Sequence, residues 1–277
     1  MNNITVRTLS GIGFVCIMAA CLLLNEFLFA GLFAMIISFM LIEFYRITMG
    51  GSFKLLRGLA IAAGVILFFS LFLVFGYNLH PKYIALAFLP VILIVISSLF
   101  LKDRSEFCKV AYLFTGLLYI AIPLGMANIL TFNDLGEFDG RLLLCFFIII
   151  WSSDVGGFVI GNLLGKNGKK LMPEVSPKKS WAGFWGGIAF SLAAAAILHY
   201  SDMLLPEHHW IHSIVLALLM DVFGVFGDLF ESQWKRLYDL KDSGTIIPGH
   251  GGMLDRFDST LMALPAGVIY LSLVNIL

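Results

Sequence analysis

The sequence has 277 residues, of which 60% are hydrophobic and 13% are charged, and its 18 Lys and Arg residues balance its 18 Asp and Glu residues. With a mean hydropathy of +0.94, the chain has longer apolar segments than a single water-soluble core would bury, which excludes an ordinary soluble domain. The zero net charge gives no indication of nucleic acid binding, and we expect no nucleic acid partner.

Nine apolar segments are each long enough, at roughly 20 residues, to cross a hydrocarbon layer of about 30 Å. They cover residues 8–24, 27–45, 58–78, 83–101, 108–131, 142–162, 181–200, 210–230 and 260–277. Asn25 and Glu26 alone separate the first two segments, which predicts a tight helical hairpin. The sequence therefore predicts an all-α, polytopic membrane protein with about nine transmembrane helices.

Positive charge is distributed unequally between the two sides that these segments define. Alternating the connections places 16 of the 18 Lys and Arg residues on one side and leaves Lys82 and Arg141 on the other. By the positive-inside rule, the N-terminus is then cytoplasmic and the C-terminus faces outward. We expect a multi-pass protein of the cell (inner) membrane whose polar C-terminal loops face the cytoplasm, where ATP and CTP are found.

Polarity changes along the chain near residue 135. The predicted spans within residues 1–135 carry few ionisable groups. We therefore expect this region to be an N-terminal set of lipid-facing transmembrane helices. Residues 136–277 predict a catalytic transmembrane region with cytoplasmic motif loops at 163–180 and 231–259.

Three carboxylates lie inside predicted spans of the second region: Asp154, Asp221 and Asp228. A charge within hydrocarbon costs several kcal/mol, so such residues usually face a bundle interior, a water-filled cavity or an ion. Asp221 and Asp228 are about two helical turns apart and share one helix face. We interpret Asp221 as bonded to a neighbouring helix and Asp228 as a metal ligand.

The loop at 163–180 is basic. Lys166, Lys169 and Lys170 are typical of a topology anchor near anionic lipid. The segment Ser176-Pro177-Lys178-Lys179 differs, because a serine and a proline precede two lysines that could bind phosphate as point charges.

The most polar part of the chain is the run from Gly227 to Ser259. It combines oxygen ligands for a hard cation, cationic groups suited to phosphate, and a glycine-rich loop. The oxygen ligands are Asp228, Asp242, Asp255 and Asp258, the cationic groups are Lys235, Arg236, Lys241 and Arg256, and the glycines are Gly244, Gly249, Gly251 and Gly252. This combination is typical of phosphoryl and nucleotidyl transfer.

These segments resemble the phosphatidate cytidylyltransferases, the CDP-diacylglycerol synthase family. The resemblance is carried by Ser176 to Lys179, Ser232, Lys235-Arg236, Lys241-Asp242, Pro248-Gly249-His250-Gly251-Gly252, Asp255-Arg256 and Asp258. It covers roughly residues 150–277 by motif and the first half by hydropathy alone. Departures from the family pattern at Phe158, Ser180, Ala182 and Trp234 bear on substrate preference more than on reaction class.

The resemblance implies transfer of CMP from CTP to phosphatidic acid in the membrane, with CDP-diacylglycerol and pyrophosphate as products. It also implies a dimer, and Mg²⁺, alone or with a second cation, on Asp228 and Asp255. The catalytic residues it implies are Asp228, Asp255, Lys241 and His250. The substrate-binding residues it implies are Ser176, Lys178, Lys179, Ser232, Lys235, Arg236, Asp242, Gly251, Gly252, Arg256 and Asp258.

Two other functions stay open at this point. A CTP-dependent lipid kinase of the polyprenol type would transfer the γ-phosphate to an alcohol and release CDP. An ion-coupled secondary transporter would use the three intramembrane carboxylates as a proton or sodium relay, but it does not account for the polar run. Structural roles also stay open for His250, as a backbone-bonded loop residue, and for Lys241-Asp242 and Asp255-Arg256, as ion pairs that hold the loop.

Overall fold

The computed structural model describes residues 3–51, 53–101, 104–133, 135–166, 168–246 and 251–277. Over these ranges the chain is helical apart from one β-hairpin, one isolated β-bridge and the connecting turns. The predicted all-α class is confirmed.

The α-helices are numbered in chain order. They are α1 (Asn3–Leu24), α2 (Glu26–Met49), α3 (Lys54–Gly76), α4 (Phe88–Ser98), α5 (Val110–Gly116), α6 (Ile122–Gly125), α7 (Arg141–Leu164), α8 (Trp181–Tyr200), α9 (Trp210–Leu237), α10 (Leu254–Phe257) and α11 (Thr260–Leu273). The other helical segments are 3₁₀ turns at Pro81–Ala87, Arg104–Lys109 and Met126–Leu130 and a π-helix at Leu117–Ala121. The strands are β1 (Lys170–Met172) and β2 (Ser176–Ser180).

Seven helical segments in the described part of the chain are long and apolar enough to cross a membrane, so this is a multi-pass membrane protein. They are Glu26–Met49, Lys54–Gly76, Pro81–Ser98, Phe107–Leu130, Arg141–Leu164, Trp181–Tyr200 and Trp210–Leu237. The first and last predicted spans are also helical but shorter. The apolar part of α1 covers Thr8–Leu24, and α11 has 14 residues. The sidedness of the termini stays a prediction.

The chain divides into two compact units. Unit 1 comprises residues 1–139 and 242–256, and unit 2 comprises residues 140–241 and 257–277. The segment 242–256, which carries the glycine-rich loop, therefore belongs with the N-terminal helices.

In unit 1, the break between α1 and α2 falls at Asn25, as predicted. The Asn25 backbone is extended, and its side-chain oxygen accepts a hydrogen bond from Phe27 N at 2.8 Å, which caps α2. The core behind this hairpin is aromatic. Phe29, Phe33 and Phe68 have ring centroids 4.7 to 6.0 Å apart.

The predicted span 108–131 is one helical path of changing pitch. The π-helix at Leu117–Ala121 ends two residues before Pro123, which has no N–H to give to a regular α-helical ladder. The path is held to α2 by Tyr45, whose buried hydroxyl donates to Leu113 O at 2.8 Å.

In unit 2, glycines bring α7 and α8 into close contact. A Cβ on Gly183 would lie 2.9 Å from Gly157 O, and a Cβ on Gly156 would meet the carbonyl of Gly186. The 28-residue helix α9 packs against both α8 and α11. This packing places the C-terminal half of α7, the start of α8 and the second half of α9 around a common cleft.

Candidate active site

A cavity of about 430 Å³ lies within unit 2, and we call it the hairpin cleft because β2 forms one of its walls. Its polar lining comes from four elements. These residues are Ser153, Asp154 and Asn162 of α7, Lys178, Lys179 and Ser180 of β2, Asp221 and Asp228 of α9, and Ser259 before α11. Apolar walls come from residues such as Ile150, Phe158, Phe184 and Met220. Such a cleft suits a ligand with a charged head and an apolar body.

Lys179 and Asp228 form the central ion pair of this cleft. Lys179 Nζ lies 2.6 Å from Asp228 Oδ2, and the two side chains are 27% and 26% exposed. Ser232 Oγ donates to Asp228 Oδ1 at 3.2 Å from one helical turn further along α9. Three predicted site residues, from two separate motifs, are therefore brought together.

The hairpin that presents Lys178 and Lys179 was predicted as a loop. Its strands pair antiparallel, with Lys170 opposite Ser180 and Met172 opposite Ser176. Ser180 then caps α8 by accepting a hydrogen bond from Gly183 N at 3.2 Å. Because strand and helix share Ser180, the lysines of β2 have a fixed position relative to α8. Lys178 is exposed and Lys179 is half-buried.

Lys170 has a structural role in the same hairpin. Its Nζ donates to Gly165 O at 3.0 Å and to Lys166 O at 3.1 Å, so the ammonium satisfies carbonyls at the end of α7. This position is favourable for a cation.

The cleft borders a concentration of negative charge at the N-terminus of α11. Burial raises the pKa of the Asp258 carboxyl well above its usual value. Three neighbouring carboxylates raise that pKa further: Asp228, Glu231 and Asp154. A cation at this point would relieve the repulsion between these groups.

Asp221 lies two turns before Asp228 on α9 and is bonded to a neighbouring helix, as predicted. It is buried, and its Oδ1 accepts a hydrogen bond from Ser153 Oγ of α7. Gly187 of α8 passes over this pair, since a Cβ there would lie 3.0 Å from both Asp221 Oδ1 and Ser153 Oγ. Asp221 thus helps join the three helices that line the cleft.

Residues 242–246 and 251–256 of unit 1, which we call the glycine loop, are organised around Asp255. Asp255 Oδ2 accepts hydrogen bonds from Ser243 N at 2.8 Å, Ser243 Oγ at 2.9 Å and Gly252 N at 2.8 Å. Gly251 has a φ of +85°, and a Cβ on it would lie 2.7 Å from Asp255 Oδ2. The carboxylate of Asp255 and the turn at Gly251 therefore require each other.

Glu43 of α2 contacts the glycine loop and was not among the residues predicted from the sequence. It is 3% exposed and accepts hydrogen bonds from Met253 N at 3.0 Å, Leu254 N at 2.8 Å and Ser243 Oγ at 3.2 Å. The available signal was a carboxylate inside an apolar span, the same signal that identified Asp154, Asp221 and Asp228.

The other predicted site residues have separate surroundings. Lys235 Nζ is paired with buried Glu231 at 2.9 Å. Arg236 donates to Val175 O at 3.3 Å and to Leu240 O at 2.9 Å, so it ties the turn between β1 and β2 to the end of α9. Lys241, Asp242 and Arg256 are exposed and Ser176 is half-buried, while His250 lies outside the described residues. The functional roles assigned to these residues stay predictions.

No three His, Cys, Asp or Glu side chains converge as a metal cage within the ranges that the structure describes. Mg²⁺ does not require such a cage, because proteins commonly bind it through one or two carboxylates together with substrate phosphates and water. The crowding of acids around Asp258 supplies oxygen ligands of the right kind beside Lys179 and Asp228. The donor set of the hairpin cleft therefore fits a magnesium–phosphate complex.

Fold and site together define a multi-pass membrane protein with a charged cleft suited to a phosphorylated ligand. The family model of the cytidylyltransferase family matches residues 5–274. The chain belongs to the cytidylyltransferase family, in agreement with the motifs.

Individual relatives carry a more specific name. The chain is 37% identical over 181 residues to the phosphatidate cytidylyltransferase of Bacillus subtilis (strain 168), with 65% of each chain aligned. It is 36% identical over 183 residues to the phosphatidate cytidylyltransferase of Staphylococcus epidermidis, with 66% of this chain and 65% of the relative aligned. It is 35% identical over 161 residues to that of Rickettsia bellii (strain RML369-C), with 57% of this chain and 68% of the relative aligned. The aligned part of the chain thus spans 65% of the first two relatives.

Proposed function

We propose that this protein transfers CMP from CTP to phosphatidic acid, giving CDP-diacylglycerol and pyrophosphate. The observation that carries the proposal is the Lys179–Asp228 pair beside Lys178, in a cleft formed by membrane-spanning helices. The names of the relatives from Bacillus and Staphylococcus support the same activity.

Binding of the two substrates is first a problem of charge. CTP and phosphatidate are both polyanions and repel each other, so a site that joins them must supply positive charge at close range. Lys178 and Lys179 supply it from one edge of the cleft. A phosphate oxygen that approaches Lys179 competes with Asp228, which now holds the ammonium at 2.6 Å. Substrate binding therefore frees the Asp228 carboxylate for another cation.

The reaction itself needs no strong base. The phosphate monoester of phosphatidate is already ionised near neutral pH, and one of its oxygens attacks the α-phosphorus of CTP in line with the leaving group. A new P–O bond forms to the lipid phosphate, the bond between the α-phosphorus and its bridging oxygen breaks, and pyrophosphate departs with that oxygen. Lys179 stabilises the charge that develops on the transferred phosphoryl group.

Magnesium is part of the proposal, with Asp228 and Asp255 as its predicted ligands and a second cation as an open alternative. When bound, Mg²⁺ neutralises phosphate charge and stabilises the leaving pyrophosphate. The hydrogen bond from Ser232 would orient the Asp228 carboxylate as a ligand. Asp255 is oriented by the donors of the glycine loop.

The proposed location is the inner membrane, with the hairpin cleft on the cytoplasmic side. The excess of Lys and Arg in the connections expected to face the cytoplasm supports this sidedness. We also propose the homodimer that the family resemblance implies, which light scattering of the detergent-solubilised protein would check.

The test is a reconstituted reaction with the purified protein, CTP, Mg²⁺ and phosphatidate in detergent micelles. We expect a CTP-dependent lipid product that co-migrates with CDP-diacylglycerol on thin-layer plates, and one pyrophosphate per product. Diacylglycerol, which lacks the attacking phosphate, is the matched control and should give no product. Phosphorylation of diacylglycerol with release of CDP would instead establish a kinase.

A further inference from the structure

We propose that Glu43 of α2 is a positioning residue for the reaction, because it holds the glycine loop and, through Ser243, the carboxylate of Asp255. The inference rests on the proposed function, since it deepens the role of the same predicted site. It concerns a residue of the N-terminal helices, where the sequence analysis placed no site residue.

Both carboxylate oxygens of Glu43 are used as hydrogen-bond acceptors within the protein. Both of its oxygens accept hydrogen bonds from the glycine loop: Oε1 from Met253 N at 3.0 Å, and Oε2 from Leu254 N at 2.8 Å and Ser243 Oγ at 3.2 Å. A carboxylate buried to 3% exposure is costly to place in an apolar helix unless such donors compensate it. Glu43 is therefore held by two backbone amides and by the Ser243 hydroxyl, whose single proton it shares with Asp255.

The glycine loop is shaped to fit around the Glu43 carboxylate. A Cβ on Gly244 would meet Glu43 Oε1, and a Cβ on Gly252 would meet Glu43 Oε2 and Ser243 Oγ. Two glycines on opposite sides of the loop thus allow the backbone to close on one side chain. This arrangement fixes the backbone immediately before Asp255.

Ser243 links Glu43 to Asp255. Ser243 Oγ lies 3.2 Å from Glu43 Oε2 and 2.9 Å from Asp255 Oδ2. Ser243 N and Gly252 N also donate to Asp255 Oδ2. Two of the three donors to Asp255 therefore belong to Ser243, which also contacts Glu43, and the third belongs to Gly252, next to Met253. Loss of the Glu43 carboxylate should leave the Asp255 carboxylate present but less precisely positioned. Catalysis depends on such precise positioning.

The variant that tests this is Glu43→Gln, which keeps size and polarity but replaces one acceptor oxygen by an NH₂ group that cannot accept. The matched control is Glu26→Gln on the same helix, where the side chain is half-buried and accepts a hydrogen bond from the hydroxyl of Tyr77. Both proteins are compared with the wild type as monodisperse, purified samples, with turnover expressed per mole of folded protein.

Two readouts are measured. Hydrogen exchange should speed up about tenfold or more in Glu43→Gln at whichever amide, Met253 or Leu254, faces the new NH₂ group, because that buried donor loses its acceptor, while α9 stays unchanged. Turnover should fall roughly 10- to 100-fold, with the Mg²⁺ concentration for half-maximal rate raised and the KM for CTP unchanged. A role in folding alone would lower the yield of folded protein and leave these parameters as in the wild type.

Several outcomes would overturn the proposal. Unchanged exchange in the glycine loop would show that Glu43 does not hold it. Faster exchange with unchanged turnover and Mg²⁺ dependence would show that the anchoring has no part in catalysis. Should Glu43→Gln not accumulate, Ser243→Ala removes only the hydroxyl that lies between Glu43 and Asp255 and should raise the Mg²⁺ requirement. Wild-type behaviour of that variant would be equally decisive against the proposal. If the wild type itself makes no product, the proposed function fails while the exchange measurement still tests the anchoring.

Discussion

Lys179→Ala should separate the catalytic role of the hairpin cleft from its structural role. The substitution removes the ammonium that lies 2.6 Å from Asp228 and leaves the rest of β2 unchanged. The prediction is a large loss of activity with a small loss of stability.

The two magnitudes follow from the exposure of the pair. Because both side chains are about a quarter exposed, water screens their attraction, and the pair contributes about 1 kcal/mol or less to stability. Loss of a donor that stabilises developing charge in a transition state costs roughly 3–4 kcal/mol, or about a hundredfold to a thousandfold in rate. The activity effect should therefore exceed the stability effect several times over.

The assay is kcat/KM for CTP-dependent lipid product, measured beside thermal unfolding in the same detergent. Lys169→Ala is the matched control, because Lys169 is an exposed lysine of the same hairpin region and does not line the cleft. Activity of Lys179→Ala within about threefold of wild type would refute the role of Lys179 in charge stabilisation. An equal loss in Lys169→Ala would show that general basicity of the segment is what matters.

Three further predictions concern the hairpin cleft, the acids beside it and the glycine loop. Asp228→Asn and Asp255→Asn should each remove most activity while membrane insertion and yield stay normal, and near-normal turnover in both would rule out the metal assignment. Gly251→Ala should lower the melting temperature more than Gly50→Ala, because both glycines have positive φ but only Gly251 has a carboxylate in the way of a Cβ; equal shifts would contradict this. Because the pKa of Asp258 is raised, this residue should contribute stability that is fully present below about pH 4 and is lost as the pH rises through the raised pKa. Asp258→Asn should flatten that part of the curve of melting temperature against pH, and an unchanged curve would show that Asp258 does not cause it.

The helices could be predicted from the sequence because apolar segments of membrane length are a local signal. All nine predicted spans are helical, and the break at Asn25 follows from a cap that acts over two residues. The hydrogen bond of Asp221 to a neighbouring helix could also be predicted, because a carboxylate within the membrane needs a polar partner. The end of α11 at Leu273 was not predicted, because the apolar character of the sequence continues to Leu277.

The site could be predicted only in part, because some of its contacts lie within one helix and others join residues that are far apart in the sequence. Asp228 and Ser232 are one helical turn apart, so their contact follows from helix geometry. The contact of Glu43 with Ser243 and Leu254 joins residues about 200 positions apart, and no periodicity within either segment encodes it. The β-hairpin at 170–180 was missed because its strands are short and its lysines were interpreted as loop residues.

The most direct test of the proposed reaction uses CTP labelled at either the α- or the γ-phosphate and follows the label into the products. Parallel incubations with phosphatidate, Mg²⁺ and the purified protein would be separated into lipid and water-soluble products. We predict that the α-label enters the lipid and the γ-label is released in pyrophosphate. Transfer of the γ-label to lipid with release of CDP, or the absence of any labelled lipid, would contradict nucleotidyl transfer by this protein.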